Sequence, residues 1–124
     1  MRLFGHVAIV DDDASLRAAL SRLLRAHGID SHGYPSARAF LAALPSAMPV
    51  CLILDVNMPG MTGPDLQREL LRLSIDIPTI VITAIDDERV AAETMSLGAK
   101  SFLTKPASSQ ALMAAIDSAV RVSA

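Results

Sequence analysis

The stretch Leu52-Ile53-Leu54-Asp55-Val56-Asn57-Met58-Pro59-Gly60 indicates how this chain folds. A short apolar run ends at Asp55, and Pro59 and Gly60 then provide a turn signal. An apolar run of this length that is closed by a turn is typical of a buried strand. The ionised carboxylate of Asp55 would therefore stand at the exposed lip of a buried strand.

Three other apolar runs also end in polar side chains. Asp11 and Asp12 follow residues 7–10, Thr83 follows residues 80–82, and Lys105 follows residues 102–104 and precedes Pro106. If the strands are parallel, their carboxyl ends meet at one edge of the sheet, where such sheets bind ligands. The sequence therefore predicts one site built from acids, a hydroxyl and an ammonium group.

Short apolar runs alternate with amphipathic stretches along the whole chain. We predict strands at about residues 6–10, 30–34, 50–54, 79–82 and 100–103. Helices are predicted at about residues 14–26, 37–44, 64–73, 87–97 and 108–122, with Asp13 as the cap of the first. Leu66, Leu70 and Leu73 would form the inner face of the third helix. Strands that are apolar throughout predict a parallel sheet with helices on both faces, so we expect a single α/β domain of five β-α units.

Composition excludes several classes of protein. The chain has 124 residues, 52% of them hydrophobic, which suits one domain with a sizeable core. Its net charge of −2 and the lack of a basic run argue against nucleic-acid binding by this segment. We see no signal peptide and no apolar stretch of roughly 20 residues that would span a membrane. The single cysteine, Cys51, reads as a core residue and fits a reducing cytoplasm, and the three histidines show no metal-binding spacing.

The predicted site suits phosphoryl transfer. Three neighbouring carboxylates repel one another, and a hard divalent cation such as Mg²⁺ or Mn²⁺ relieves that repulsion. Asp12, Asp55 and a backbone carbonyl would supply a partial coordination shell, with Asp11 holding a water. A carboxylate can attack phosphorus to form an acyl phosphate, and Lys105 and Thr83 can contact the phosphoryl oxygens.

Four segments of the chain together resemble the receiver domain of bacterial two-component response regulators. They are residues 9–13 (Ile-Val-Asp-Asp-Asp), residues 54–63, residues 81–84 (Val-Ile-Thr-Ala) and the pair Lys105-Pro106. The resemblance covers essentially the whole chain. It implies a doubly wound (βα)5 fold, flavodoxin-like, with a parallel sheet in the order 2-1-3-4-5.

The resemblance also implies a role for each residue of the acidic site. Asp55 would be the phosphoacceptor, and Asp12 would ligate Mg²⁺ directly. Asp11 would assist through water, and the Asn57 backbone carbonyl would complete the protein ligands. Lys105 would pair with Asp55 or with its phosphate.

Further residues are implied to bind the phosphoryl group or to respond to it. Thr83 would contact the phosphoryl group and move toward it, and Phe102 would turn inward when it does. The backbone at Val56 and Ala84 would bind phosphoryl oxygens. The Lys105–Pro106 peptide bond is expected to be cis. Phe102 replaces the tyrosine of many members, so it offers no hydroxyl group when it turns.

Charge on the last helix favours one subfamily. Residues 108–122 carry only Asp117 and Arg121, which is more similar to receivers of the NarL/FixJ type than to those of the winged-helix class. The implied partners are a sensor histidine kinase and a second copy, through a helix 4–strand 5–helix 5 face, on phosphorylation. DNA would be reached only through an attached helix-turn-helix domain, and no membrane is involved. We favour residues 1–124 as the receiver part of a longer regulator, with a single-domain protein as the alternative.

Three other functions are alternatives. A haloacid-dehalogenase-type phosphatase would carry a second Asp two residues after its nucleophile, where this chain has Asn57. A nucleotide- or flavin-binding module would want a Gly-, Ser- or Thr-rich loop after the first strand instead of three acids. A degenerate receiver would lack the acceptor, an acid or the lysine. Apolar Ile85 leads to a further hypothesis, that it limits the access of water to the acyl phosphate.

Overall fold

The computed structural model describes residues 5–123, in which five strands alternate with five helices. In chain order they are β1 His6–Val10, α1 Ala14–Ala26, β2 Asp30–Tyr34, α2 Ala37–Ala43, β3 Cys51–Asp55, α3 Gly63–Arg72, β4 Thr79–Thr83, α4 Glu88–Ser96, β5 Ser101–Thr104 and α5 Ser109–Ser123. Within these residues, we find no helix that is long and apolar enough to cross a membrane.

The strands form one parallel sheet in the order β2-β1-β3-β4-β5. Side chains alternate between its two faces, and each face is covered by helices. One core lies between the sheet and helices α1 and α5, and its largest buried side chains include Ile9, Leu24, Ile53, Ile80, Leu112 and Ile116. On the other face, Phe40 of α2 and Leu66 of α3 pack on Leu52 and Leu54. The predicted doubly wound fold and strand order are therefore confirmed.

Burial is greatest in the three central strands. Strands β3 and β4 are wholly buried, and β1 is buried after its first residue. The expectation of apolar strands throughout was wrong for β2 and β5. Strand β2 reads Asp-Ser-His-Gly-Tyr and is largely exposed, because an edge strand has a neighbour on one side only.

Helix caps determine where the loops at the carboxyl edge of the sheet end. Asp13 caps α1 by accepting hydrogen bonds from the amides of Ser15 and Leu16, as predicted. Asp87 caps α4 in the same way. Thr62 and Asp65 form a reciprocal capping box at the start of α3. These caps end the loops that follow β1, β3 and β4 at defined residues.

Several boundaries differ from the sequence prediction. Strands β3 and β4 each run one residue further, so Asp55 and Thr83 are the last paired residues of their strands. Strand β5 begins at Ser101, one residue later than predicted. Leu73 was wrongly placed on the inner face of α3. That helix ends at Arg72, so Leu73 becomes its C-cap and is 43% exposed.

Candidate functional site

Strand register gathers polar side chains at the carboxyl edge of the sheet. Asp55 is the last residue of β3 and lies beside Ile82 of β4, one position before Thr83. Asp11 follows β1 directly, and its amide donates a hydrogen bond to the carbonyl of Tyr34 on β2. Lys105 follows β5, and its amide donates to the carbonyl of Thr83. The Lys105–Pro106 peptide bond is cis.

Asp55 is a buried carboxyl group with one oxygen engaged. It is 5% exposed, and its Oδ1 accepts from the Val56 amide at 3.0 Å and from Lys105 Nζ at 3.4 Å. Among the described residues, no hydrogen bond is donated to Oδ2. Burial and the charge of Asp11 raise the pKa of Asp55, although Lys105 and the Val56 amide act in the opposite direction. The arrangement leaves one carboxylate oxygen free to act.

Asp11 is held more completely than Asp55. Its Oδ1 accepts from the Asp13 amide at 2.9 Å, and its Oδ2 accepts from Lys105 Nζ at 2.9 Å. Its backbone carbonyl accepts from Arg17 Nη1 at 2.7 Å. Lys105 therefore lies nearer to Asp11 than to Asp55, and its ammonium group bridges the two acids.

The environment keeps Lys105 charged. Burial acts to lower the pKa of Lys105, but its hydrogen bond to Asp11 and the charges of Asp55 and Asp11 outweigh this, and the pKa is raised. Its side chain is 20% exposed, and the carboxylates of Asp11 and Asp55 are almost fully covered. The ammonium thus offsets one of the negative charges in the cluster and keeps contact with solvent.

Three carboxylates of the site can reach a common point. Asp11, Asp12 and Asp55 each offer one oxygen atom, and these atoms lie within 4.8 Å of one another. Asp12 is exposed, so the cluster opens to solvent on its side. Hard oxygen donors with partial access for water suit Mg²⁺, which keeps several waters when it binds to proteins. Lys105 neutralises only part of the charge, so the donor set fits a divalent cation. Asn57, whose carbonyl was predicted as a ligand, is exposed two residues beyond Asp55.

Thr83 and Phe102 occupy different environments. Thr83 is 1% exposed, and its Oγ1 accepts from the Ile85 amide at 3.2 Å. Phe102 lies on β5 beside Val81 and is half-buried against the cluster of Val56, Val81 and Ala99. Phe102 thus pairs with β4 two positions before Thr83 ends that strand.

The remaining polar candidates stay outside the site. Cys51 is fully buried at the start of β3, and burial raises its pKa to about 12, so the thiol is a core group. His6 and His32 stack with ring centroids 3.9 Å apart. His6 is at the opposite end of β1 from Asp11, and burial lowers its pKa.

Two residues of the site were not predicted from the sequence. Gly63 donates its amide to the Val56 carbonyl, and a Cβ atom there would lie 2.4 Å from the backbone oxygen of Asp55. The position therefore requires glycine, so that α3 can begin against the end of β3. Arg17 reaches the Asp11 carbonyl from α1. In the sequence it is only an arginine six residues after Asp11, which does not by itself indicate a contact.

Comparison with known proteins agrees with this geometry. A family model for the response regulator receiver domain matches residues 7–117. Transcriptional regulatory protein FixJ of Bradyrhizobium diazoefficiens is 38% identical over 117 residues, which are 94% of this chain and 57% of that protein. Response regulator protein TmoT of Ectopseudomonas mendocina is 40% identical over 116 residues, which are 94% of this chain and 53% of that protein.

A solved structure agrees in backbone as well as in sequence. The crystal structure of FixJ-N matches with a TM-score of 0.90 and 38% identity, covering 97% of this chain and 96% of that chain. The chain spans about half the length of the curated relatives it matches. From the matched residues, the fold and the sequence identity, we conclude that this chain belongs to the response regulator receiver domain family and is of the NarL/FixJ type.

Proposed function

We propose that Asp55 is a phosphoacceptor that takes a phosphoryl group from the phosphohistidine of a sensor histidine kinase in the presence of Mg²⁺. The observation that carries the proposal is the Asp55 carboxylate itself. One of its oxygens is held by Val56 and Lys105, and the other is free beside two further acids. Membership of the family makes the chain a regulatory domain and not a conventional enzyme.

The transfer needs no general base from the protein. The free oxygen of Asp55 attacks phosphorus, the phosphorus–nitrogen bond breaks, and the imidazole leaves with the electron pair and becomes protonated. The product is an aspartyl phosphate. Because an ionised carboxylate is already a nucleophile, catalysis consists of positioning and charge neutralisation.

Asp11, Asp12, Asp55 and the Asn57 carbonyl would hold Mg²⁺ or Mn²⁺ at this site. When bound, the cation would neutralise the acids and the phosphoryl oxygens. Lys105 would supply the remaining positive charge from the side of β5. Its raised pKa supports this role, because the ammonium form persists at neutral pH.

The added charge would shift a conformational equilibrium. Backbone groups of Val56 and Ala84 and the Thr83 hydroxyl would bind the phosphoryl oxygens. Thr83 would give up its bond from the Ile85 amide to do so. Phe102, which packs against the cluster around Val81, would turn inward and rearrange the α4–β5–α5 face. A bias of a few kcal/mol suffices for such a population shift.

The partners follow from this switch. We propose that the α4–β5–α5 face forms a homodimer on phosphorylation and thereby controls an output in transcription regulation in the cytoplasm. Residues 1–124 would be the receiver of a longer regulator, with DNA bound only by an attached helix-turn-helix domain. The partial coverage of the longer relatives supports this division.

The test is intact-protein mass spectrometry after incubation with acetyl phosphate. Wild type with Mg²⁺ is expected to gain one phosphoryl group, and samples with chelator or with Asp55→Asn are expected to gain none. Asp76→Asn, an exposed acid outside the cluster, serves as the control and should be labelled like wild type. Labelling of Asp55→Asn at the wild-type level would refute the proposal.

A further inference from the structure

We infer that Arg17 is a positioning residue that fixes the acid pair Asp11-Asp12 for cation binding through its bond to the Asp11 carbonyl. The inference rests on the proposed function, because it concerns the same acidic site. It adds a residue of α1 that is neither a ligand nor a contact of the phosphoryl group.

Asp11 and Asp12 lie on a turn that must hold two acids in defined places. The planar peptide group between them contains the Asp11 carbonyl, so a rotation that moves this oxygen also moves the backbone of Asp12. On one side of Asp11, its amide is fixed by the Tyr34 carbonyl of β2 at 3.2 Å. On the other side, its carbonyl is fixed by Arg17 Nη1 at 2.7 Å. The orientation of this peptide group therefore depends on Arg17.

Asp12 needs this support more than Asp11 does. The Asp11 carboxylate is held by the Asp13 amide and by Lys105. Asp12 is exposed, and we find no hydrogen bond to its carboxylate within residues 5–123. The position of its oxygen atoms near Asp11 and Asp55 is thus set mainly by the backbone that Arg17 holds.

The stem of Arg17 is itself seated by packing. A Cβ atom built at Gly33 would lie 3.4 Å from Arg17 Cδ, so the stem of Arg17 runs along the bare backbone of β2. Arg17 is half-buried, in keeping with a long side chain that covers apolar surface and keeps its charged end at the site. The helix, the neighbouring strand and the carbonyl bond together define where the guanidinium lies.

Charge and position predict opposite effects when Arg17 is replaced. A cation beside an acidic cluster repels Mg²⁺, so its removal would tighten binding if charge alone mattered. Loss of a group that orients metal ligands weakens metal affinity by about 10-fold or more. The sign of the change in Mg²⁺ affinity therefore separates a positioning role from a purely electrostatic one.

The experiment is a titration with MgCl₂ followed by amide chemical shifts in ¹⁵N-labelled protein. We expect Arg17→Met to raise the Mg²⁺ dissociation constant about 10-fold, because the apolar stem is kept and the bond to Asp11 is lost. Arg22→Met, which removes the same charge from an exposed position on α1, is the matched control and should not weaken binding. If Arg17→Met does not fold, Arg17→Gln makes the same test, because its amide is too short to reach the carbonyl.

The outcomes are distinguishable. Unchanged or tighter Mg²⁺ binding by Arg17→Met would overturn the role of Arg17. The proposed function would still stand in that case, provided that the wild-type protein binds Mg²⁺. Absence of Mg²⁺ binding by wild type would instead overturn the proposed function. A weaker affinity in Arg17→Met with wild-type affinity in Arg22→Met would support the inference.

Discussion

Replacement of Asp55 by asparagine should make the metal-free protein more stable. The nearest charges on Asp55 almost cancel. At an effective dielectric constant of about 20, an Asp11 oxygen within 4.8 Å repels Asp55 by at least about 3.5 kcal/mol, and Lys105 at 3.4 Å attracts it by about 5 kcal/mol. The exposed Asp12, at a dielectric constant near that of water, reduces the net attraction of Asp55 to its neighbours by about 1 kcal/mol more. What remains is the lost hydration of a buried ion.

That loss of hydration decides the sign of the effect. The lost hydration costs several kcal/mol for a fully buried ion, and the hydrogen bond from the Val56 amide offsets part of it here. We therefore expect Asp55→Asn to raise the free energy of unfolding by about 1–3 kcal/mol. Lys105 stays paired with Asp11 in the variant, so no buried cation is left without a partner. For a domain of this size, each kcal/mol raises the melting temperature by about 4 °C.

The stabilisation should depend on pH and on Mg²⁺. Folding raises the pKa of Asp55 above its ordinary value of 3.8, so ionised Asp55 destabilises the fold at neutral pH. As the pH falls through the folded pKa toward 3.8, wild type loses this cost and the two proteins converge. Mg²⁺ at ten times its dissociation constant should stabilise wild type by about 1.4 kcal/mol, and should stabilise Asp55→Asn less.

Circular dichroism melts suit the assay because the chain has no tryptophan. Asp76→Asn is the control, and an exposed substitution of this kind should change stability by less than about 0.5 kcal/mol. A metal-free Asp55→Asn protein that is no more stable than wild type at neutral pH would contradict this prediction. A stability difference that does not change with pH would refute it as well.

Three further predictions concern the same edge of the sheet. Lys105→Met should destabilise by about 2–4 kcal/mol in urea titrations at neutral pH, since Asp11 and Asp55 lose their shared cation, and no loss of stability would contradict the bridge. Because folding raises the pKa of Lys105, its contribution to stability is complete below the ordinary value of 10.5 and is lost only as the pH rises through the raised pKa. Gly63→Ala should cost about 1–3 kcal/mol in the same titration, because its Cβ meets the backbone of Asp55, and a neutral result would argue against this contact. Ile85→Glu should admit water and speed loss of the phosphoryl group about 10-fold, which corresponds to about 1.4 kcal/mol of activation free energy. Ile85→Leu is the control, and equal decay rates in the two variants would show that Ile85 gives no protection.

The features that could be predicted from the sequence depend on periodicity. Asp55, Thr83 and Lys105 lie at one edge of the sheet because parallel strands end there, and apolar runs mark those ends in the sequence. Helix α1 was predicted at its observed bounds, because Asp13 and Gly28 punctuate an amphipathic run. Apolar runs and helix-capping residues act on the chain locally, so they can be recognised in the sequence without the structure.

The features that could not be predicted depend on turns and on single contacts. The bond from Arg17 to the Asp11 carbonyl requires the turn after β1 to bring a helix side chain back over the backbone. The preference of Lys105 for Asp11 over Asp55 is a difference of about half an ångström between two contacts. Leu73 follows the helical repeat of α3 but falls just beyond its end. Each of these outcomes follows from where a helix begins or ends, which periodicity defines only within a few residues.

The central claim is tested most directly by locating the phosphoryl group. Protein labelled by acetyl phosphate and Mg²⁺ is reduced with borohydride, which converts an aspartyl phosphate to homoserine, and peptides are then sequenced by tandem mass spectrometry. We predict homoserine at position 55, and none at Asp11 or Asp12. Homoserine at another acid, or a labelled protein with unmodified Asp55, would contradict the account.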